Sequence, residues 1–140
     1  MRTPREILAS ARVIAVVGCS DESWRDSNRI ALYLQRQGYR VYPVNPTIET
    51  AIGEKCYPDL KSLPEPVDIV NVFRHPRFVP AVIEDAIEVG ALVVWLQLGV
   101  GNPEAEMRAA DAGLDVVSER CIMVDHRNWG IAPVGGREET

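Results

Sequence analysis

The stretch that decides the fold class of this chain is Val13-Ile14-Ala15-Val16-Val17-Gly18. Five consecutive apolar residues, three of them valine, predict a strand that is buried on both faces, as in a parallel sheet. Gly18 ends the strand. A polar loop over residues 19–25 then leads to a helix that starts at Asp26 or Ser27 and stops at Gly38. A strand followed at once by a helix is the unit from which α/β folds are built.

The same alternation of strand and helix continues along the chain. Four more strands are predicted, at Arg40–Val44, Val67–Phe73, Leu92–Leu98 and Leu114–Val117. Further helices are predicted over residues 3–11, 77–89 and 102–113. Residues 47–66 contain three prolines and are predicted to form only short turns, while residues 121–129 form a short segment of no assigned type.

The spacing of the predicted strands favours one topology. Each interval between strand starts fits one crossover connection, and such crossovers are right-handed in ~98% of cases. We therefore predict an α/β, Rossmann-like, doubly wound sheet of five mainly parallel strands in the order 3-2-1-4-5. Ligands of such sheets bind at the carboxyl ends of the strands, so the site is expected beside the end of the first strand.

The length of 140 residues predicts one domain with one core. With 46% hydrophobic and 25% charged residues, the composition is typical of a globular protein and excludes collagen-like, low-complexity and disordered classes. Residues 1–134 are predicted to form the domain, and residues 135–140 a flexible C-terminal tail. No stretch approaches the ~20 apolar residues of a membrane span, so no membrane partner is expected.

The charge balance narrows the class of ligand. A net charge of −5 supplies no broad positive field for DNA or RNA. Lys55 and Lys61 are the only lysines among 15 basic residues, and the planar fork of arginine suits phosphate groups. A small phosphorylated ligand therefore remains possible despite the acidic total.

The cysteines indicate a reducing compartment. Cys19, Cys56 and Cys121 are odd in number and widely spaced, and no C-x-x-C pair is present. This pattern predicts neither a disulfide framework nor a zinc finger. A cytoplasmic location is expected.

The loop after the first strand is a candidate phosphate site. Gly18 lets a phosphate approach the backbone, Ser20 and Ser27 supply hydroxyl groups, and the following helix supplies free N–H groups. The second and third glycines of the G-x-G-x-x-G fingerprint are missing. A tight turn in which the glycine serves only the backbone angle is the alternative interpretation.

The end of the second strand argues against NAD. A typical NAD site has an acidic residue there to accept hydrogen bonds from the ribose hydroxyls. This chain has Val44-Asn45-Pro46 at that point and no carboxylate before Glu49. A ligand with an extra phosphate fits better, and Arg25, Arg74 and Arg77 are candidates to bind it, although each also fits a solvated surface position.

Catalytic motifs are weak. Ser20 is not part of a G-x-S-x-G elbow, and neither His75 nor His126 lies in a motif that pairs it with a nucleophile. The scattered cysteines and histidines do not predict a metal site. Cys19 is a reactive thiol if the helix N-terminus lowers its pKa, and a small packing residue otherwise.

Several segments together resemble a known family. The resemblance covers about residues 5–130, and the Tyr-Pro-Val-Asn-Pro segment in its βα context is its most specific part. The chain resembles the small stand-alone CoA-binding proteins, which are similar to the CoA-binding domain of the succinyl-CoA synthetase alpha subunit and of ADP-forming acyl-CoA synthetases. The segments that carry it are residues 16–20, 27–29, 38–46, 53–58, 68–74, 94–99 and 120–127.

The resemblance implies a Rossmann-like fold that binds coenzyme A at the strand carboxyl ends. It implies phosphate contacts at Gly18, Ser20, Arg25 and Ser27, an adenosine site at Val44, Asn45 and Pro46, and a groove continued by Phe73 and Arg74. Cys19 and Asn28 belong to the same set of expected binding residues. The larger relatives carry their phosphorylated histidine in other domains, so the resemblance does not extend to ligase activity.

The expected function is binding of coenzyme A or an acyl-CoA without catalysis by this chain alone. Two alternatives stay open. One is a small CoA-dependent or thiol-redox enzyme that uses Cys19 or Cys121. The other is a regulatory subunit that docks on a catalytic partner.

Overall fold

The computed structural model describes residues 1–137. Within them, five parallel strands form one sheet, consisting of β1 (Val13–Val17), β2 (Arg40–Val44), β5 (Ile69–Val72), β6 (Val93–Leu96) and β7 (Asp115–Ser118). A separate antiparallel hairpin consists of β3 (Thr50–Ala51) and β4 (Glu54–Lys55). The helices are α1 (Pro4–Ser10), α2 (Asp26–Arg36), α3 (Val79–Glu88), α4 (Pro103–Asp111) and α5 (Ile122–Asn128). The predicted α/β, Rossmann-like class with one parallel sheet is confirmed.

Helices cover both faces of the sheet. On one face, α1, α2 and α5 pack on alternate strand residues such as Ile14 and Trp95. On the other face, α3 and α4 pack on the intervening residues, such as Ala15 and Val94. Side chains alternate between the two faces of a strand, which is why a strand covered on both sides must be apolar throughout.

The order of the strands differs from the prediction. The sheet runs β2-β1-β5-β6-β7, which in the numbering of the five predicted strands is 2-1-3-4-5 and not 3-2-1-4-5. The outer edge of β2 is taken by Tyr57, whose N–H donates to Pro43 O at 3.0 Å and whose carbonyl accepts from Asn45 N at 2.9 Å. Pro43 has no N–H for a further strand, which suits an edge strand. The third strand therefore pairs with the free edge of β1.

The corrected order still places the switch point beside β1. The chain moves from β1 to β2 on one side and returns to β5 on the other, so the crevice opens between the carboxyl ends of β1 and β5. Two hydrogen bonds of 2.9 Å fix the end of β1 to its two neighbours, from Gly18 N to Val44 O of β2 and from Phe73 N, after β5, to Val17 O. The predicted location of the site is thus retained.

Local signals account for most element boundaries. Thr3 and Glu6 form a capping box at the start of α1. The start of α2 was expected at a cap formed by Asp26 or Ser27, but both lie in its first turn and Arg25 occupies the cap position. Ser27 is not the cap because its hydroxyl accepts a hydrogen bond from the preceding loop.

Two segments adopt structure that the sequence did not predict. Residues 47–66 contain the β3–β4 hairpin, whose turn residues Ile52 and Gly53 have φ values of 52° and 74°. Two positive φ values are typical of a type I′ hairpin turn. Residues 121–129, left without an assigned type, contain α5.

The first residues of the predicted C-terminal tail contact helix α1. The Arg137 guanidinium donates to Ala11 O at 2.6 Å and to Leu8 O at 2.8 Å, so it satisfies free carbonyls at the end of α1. The rest of that prediction, at residues 138–140, lies outside the described residues. In the described part of the chain, none of the helices combines the length and apolar character needed to cross a membrane.

Candidate functional site

A cleft with a volume of about 580 Å³ lies over the carboxyl ends of the strands, and we call it the main cleft. Its walls come from the loops after β1, β2 and β5, as expected for a switch-point crevice. A volume of this size falls within the range of small-ligand sites. Six of the predicted binding residues line it, namely Gly18, Ser20, Arg25, Ser27, Asn45 and Phe73.

A second, small cleft of about 160 Å³ lies between the end of β2 and helix α3. Three more predicted residues line it, namely Val44, Pro46 and Arg74. The guanidinium carbon of Arg74 lies 4.1 Å from the centre of the Phe78 ring, so this arginine is held by a cation–π contact. The structure therefore distributes nine of the predicted residues over two clefts.

Gly18 allows the loops after β1 and β5 to approach each other. Its φ is +86°, a conformation that favours glycine. A Cβ atom at this position would lie 3.1 Å from Arg74 Cδ and 3.4 Å from the Phe73 carbonyl carbon. Any larger residue would therefore have to displace the Arg74 side chain and the backbone beside it.

The first loop (residues 18–25) is braced by the first turn of α2. The Ser20 N–H donates to Ser27 Oγ at 3.0 Å, and Asn28 Nδ2 donates to Ser20 O at 2.9 Å. Ser27 and Asn28 are both buried. These two residues, predicted to contact the ligand, thus have a positioning role in the structure, since their polar atoms already hold the loop.

Asn45 joins the first loop to the loop after β2. Its Nδ2 donates to Cys19 O at 3.0 Å. Its Oδ1 accepts from Thr47 N at 2.9 Å and from Thr47 Oγ1 at 2.8 Å. The two loops that flank the main cleft are therefore fixed relative to each other.

The Cys19 side chain lies beneath the first loop and does not line the main cleft. Its side chain is fully buried, and burial raises the pKa of the thiol to about 12. Of the two alternatives for this residue, a reactive thiol and a small packing residue, the structure favours packing, because the cost of burying a thiolate dominates over the start of α2. Cys121, just before α5, is partly exposed.

This contrast predicts a difference in thiol reactivity. At pH 8 one thiol, that of Cys121, should react rapidly with 5,5′-dithiobis(2-nitrobenzoate), because burial raises the pKa of both Cys19 and Cys56. The other two should react only after urea is added. In Cys121→Ser the rapid phase should disappear. A rapid phase that survives this substitution and disappears in Cys19→Ser would contradict the assignment.

Two exposed ion pairs lie at the main cleft, which is also lined by the carboxylate of Asp21. Arg25 Nε lies 3.2 Å from Glu22 Oε2, and Arg29 pairs with Asp26. Exposed pairs of this kind contribute only about 0.2–1 kcal/mol. An incoming phosphate can therefore take Arg25 from Glu22 at little cost.

A buried polar network supports the loops after β6 and β7. Gln97 Oε1 accepts from Asn71 Nδ2 at 3.2 Å and from Ile122 N at 2.9 Å. Trp95 Nε1 donates to Arg120 O at 2.9 Å. These contacts attach the start of α5 and the loop before it to the end of the sheet.

Glu119 links the loop after β7 to the loop after β6. Its carboxylate accepts hydrogen bonds from Gly99 N at 2.9 Å and Gly101 N at 2.8 Å, and these bonds lower the pKa of the group. The residue itself has a φ of 58°. It fastens the loop after β7 to the loop after β6 and thereby orders the far side of the strand ends.

Several cleft residues were not predicted from the sequence. Trp24, Thr47 and Ile48 line the main cleft, and Phe78 lines the small cleft. The one available signal was Trp24, a large aromatic residue within an otherwise polar loop. Thr47 and Ile48 gave none, since only the fold brings the loop after β2 beside the loop after β1.

The histidines and metal-ligating residues do not form a second site. His75 Nδ1 accepts from Arg77 N at 3.1 Å and thus caps a short turn before α3. His126 is buried, with Nδ1 2.8 Å from the Tyr33 hydroxyl. Within residues 1–137, no group of three or more histidine, cysteine, aspartate or glutamate side chains is placed to hold a metal ion.

Comparison with known proteins identifies a family match over most of the chain. The model of the CoA binding domain matches residues 12–127. The Bacillus subtilis protein YneT is 43% identical over 122 residues, which cover 87% of this chain and 90% of YneT. A solved structure of a hypothetical protein from Pyrococcus horikoshii has a TM-score of 0.87 and 42% identity, and the match covers 89% of this chain and 88% of that one.

A larger relative shares only one region with this chain. The ADP-forming acetate–CoA ligase I of Archaeoglobus fulgidus is 27% identical over 128 residues. The match covers 84% of this chain but 18% of the ligase. The similarity therefore concerns a small part of that enzyme.

Proposed function

The chain belongs to the CoA binding domain family, and on that premise we propose that it binds coenzyme A or an acyl-CoA across the carboxyl ends of β1, β2 and β5. The observation that carries the proposal is the close approach at Gly18, where a Cβ atom would meet Arg74 Cδ at 3.1 Å. A cradle without a side chain, beside the first turn of α2, is suited to a phosphate group.

The pyrophosphate of the ligand is proposed to lie at the first loop. There it meets the N–H groups of the first turn of α2, the Ser20 hydroxyl and the Arg25 guanidinium. The hydroxyl of Ser27 accepts from the Ser20 N–H at 3.0 Å, which orients the loop for this contact. The positive end of the α2 dipole adds to the attraction.

The adenosine part is proposed to lie against Val44, Asn45 and Pro46, with the groove continued by Phe73 and Arg74. Asn45 and Phe73 line the main cleft, and Val44, Pro46 and Arg74 line the small cleft. Arg74 is already held over the Phe78 ring, so little side-chain entropy is lost when it pairs with a phosphate.

NAD fits this site less well. The carboxylate that accepts hydrogen bonds from the ribose hydroxyls of NAD is replaced by Asn45. The Asn45 side-chain oxygen already accepts two hydrogen bonds from Thr47, at 2.9 and 2.8 Å. A ribose hydroxyl would therefore have to displace an existing contact.

We propose a binding role without catalysis by this chain alone. Among the described residues that line the two clefts, there is no histidine or cysteine. Cys19 is nearby but protonated at neutral pH, because burial raises its pKa to about 12. The three cysteines are free, which supports the further proposal of a reducing, cytoplasmic location.

The proposal predicts selective stabilisation by CoA. At a concentration about 100-fold above its Kd, CoA should add about 2.7 kcal/mol to the free energy of unfolding. For a domain of this size that corresponds to a rise in Tm of about 5–10 °C. The measurement is thermal unfolding with CoA, 3′-dephospho-CoA, NAD or ATP. An unchanged Tm with CoA, or a larger rise with NAD, overturns the proposal.

A pair of arginine substitutions provides the control. Arg74→Gln should reduce the rise in Tm with CoA, because it removes a charge from the small cleft. Arg36→Gln removes an arginine at the opposite end of α2 and should leave the rise unchanged. Equal effects of both substitutions would indicate a general charge effect and not a contact with the ligand.

A further inference from the structure

We propose that Trp24 stacks on the purine ring of the bound ligand and thereby makes the site selective for ligands that carry a base. This inference rests on the proposed function and adds a residue to it. Trp24 lines the main cleft, yet its side chain is 67% exposed. An indole offers a large flat surface, and leaving it in water forgoes the stabilisation that its burial would bring.

Trp24 is held at the rim of the cleft by the turn that contains it. The Glu22 N–H donates to Ser20 Oγ at 3.0 Å, and the Arg25 N–H donates to Glu22 O at 3.0 Å. These bonds close the backbone on both sides of Trp24. The ring is therefore presented by an ordered turn, so stacking costs little additional backbone entropy.

One side of the indole already has a partner. The guanidinium carbon of Arg25 lies 4.5 Å from the centre of the ring, and Arg25 is itself paired with Glu22. An arginine placed over one face leaves the other face for a second flat group. Every base has such a face, and the stacking is attractive whichever base is present.

The loop after β2 also lines the main cleft. Thr47 and Ile48 line it, directly after the Val44-Asn45-Pro46 segment proposed to meet the adenosine. Asn45 holds this loop to the first loop through the 3.0 Å bond to Cys19 O. A purine that enters beside Asn45 can thus meet both Ile48 and Trp24, since all three residues line the same cleft.

The test compares ligands that differ in the base. The ligands are CoA, adenosine 3′,5′-bisphosphate, which keeps the base, and 4′-phosphopantetheine, which lacks it. Trp24→Ala should weaken binding of the first two by about 5- to 100-fold, as measured by calorimetry, and should not change binding of 4′-phosphopantetheine. Trp24→Phe should restore most of the loss, since it keeps a flat ring.

Tryptophan fluorescence gives an independent readout. Ligands with a base should quench the emission of the wild-type protein, and this quenching should vanish in Trp24→Phe. The matched control is Trp129→Phe, because Trp129 is partly exposed at the end of α5, away from the main cleft. This control should keep both the quenching and the affinity.

The outcomes separate the inference from the proposed function. If wild-type protein fails to bind CoA, the proposed function fails. If CoA binds wild-type protein and Trp24→Ala equally well, the stacking inference alone is wrong. An equal loss of affinity for CoA and 4′-phosphopantetheine in Trp24→Ala also overturns it, since the residue would then act on the loop and not on the base.

Discussion

Replacing Gly18 by valine should weaken CoA binding at least tenfold and destabilise the fold. The φ of +86° is unfavourable for a β-branched residue, which costs about 1–3 kcal/mol. The new side chain also meets Arg74 Cδ, 3.1 Å from the Cβ position, and overpacking of this kind costs about 1–3 kcal/mol more. Affinity should fall at least tenfold, the equivalent of ~1.4 kcal/mol, because the side chain enters the phosphate cradle and moves Arg74.

Gly53→Val is the matched control for Gly18→Val. Gly53 has a similar φ of 74°, and within residues 1–137 nothing lies within 4 Å of its Cβ position. Gly53→Val should lose stability because valine is unfavourable at a positive φ, but it should keep its affinity for CoA. The measurements are urea unfolding and calorimetric titration of both variants. Equal CoA affinity in the two variants would show that the cradle at Gly18 is not part of the site.

Replacing Trp95 by alanine should cause the largest loss of stability. The side chain is fully buried in β6, and removal of a buried tryptophan costs about 3–5 kcal/mol. The free energy of unfolding of a domain is about 5–15 kcal/mol, so the variant keeps only part of its stability. The loss of the 2.9 Å bond to Arg120 O should also loosen the loop before α5.

Trp95→Phe separates the contribution of ring packing from that of the hydrogen bond to Arg120 O. It keeps most of the ring but leaves the Arg120 carbonyl without its donor, which costs about 1–3 kcal/mol. Urea unfolding should therefore rank wild type, Trp95→Phe and Trp95→Ala in decreasing stability. A loss below about 1 kcal/mol for Trp95→Ala would contradict the packing described for this face of the sheet.

We base the proposed phosphate contacts on two local arginines and not on the overall charge, and the main cleft is also lined by the carboxylates of Asp21 and Asp26. The chain carries a net charge of −5, yet Arg25 and Arg74 each line a cleft beside Gly18. Glu22 is close enough to Arg25 to neutralise it when no anion is present. The arrangement favours a small ligand with a few phosphates, because the attraction acts over a short range.

The fold class followed from patterns that act over short distances. The apolar run Val13–Val17, its repetition along the chain and the glycines after the helices were sufficient to predict a parallel sheet with helices on both faces. The order of the strands was not predicted correctly, although Pro43 carried a signal. A proline in the second strand favours an edge position, which is where the structure has it.

The candidate site was predicted in outline but not in the roles of its residues. Gly18 and Arg74 were both expected near a ligand. The structure adds that the Arg74 side chain lies against the backbone of Gly18, where a Cβ atom would be 3.1 Å from Arg74 Cδ. Ser27 was expected to contact phosphate and Asn28 to belong to the binding set, and the structure adds that their polar atoms hold the first loop. Cys19 was expected at the site, but it is buried beneath the loop.

By itself, the sequence determined that this chain forms an α/β domain with a glycine loop at the end of its first strand, because strand, helix and turn preferences depend on neighbouring residues. Only the tertiary structure decided which strands are adjacent, which loops flank the main cleft, and that the Cys19 thiol has a pKa of about 12. Those properties depend on residues that are distant in the chain and on the exclusion of water between them. Pairing, burial and desolvation are therefore settled only when the whole domain has folded.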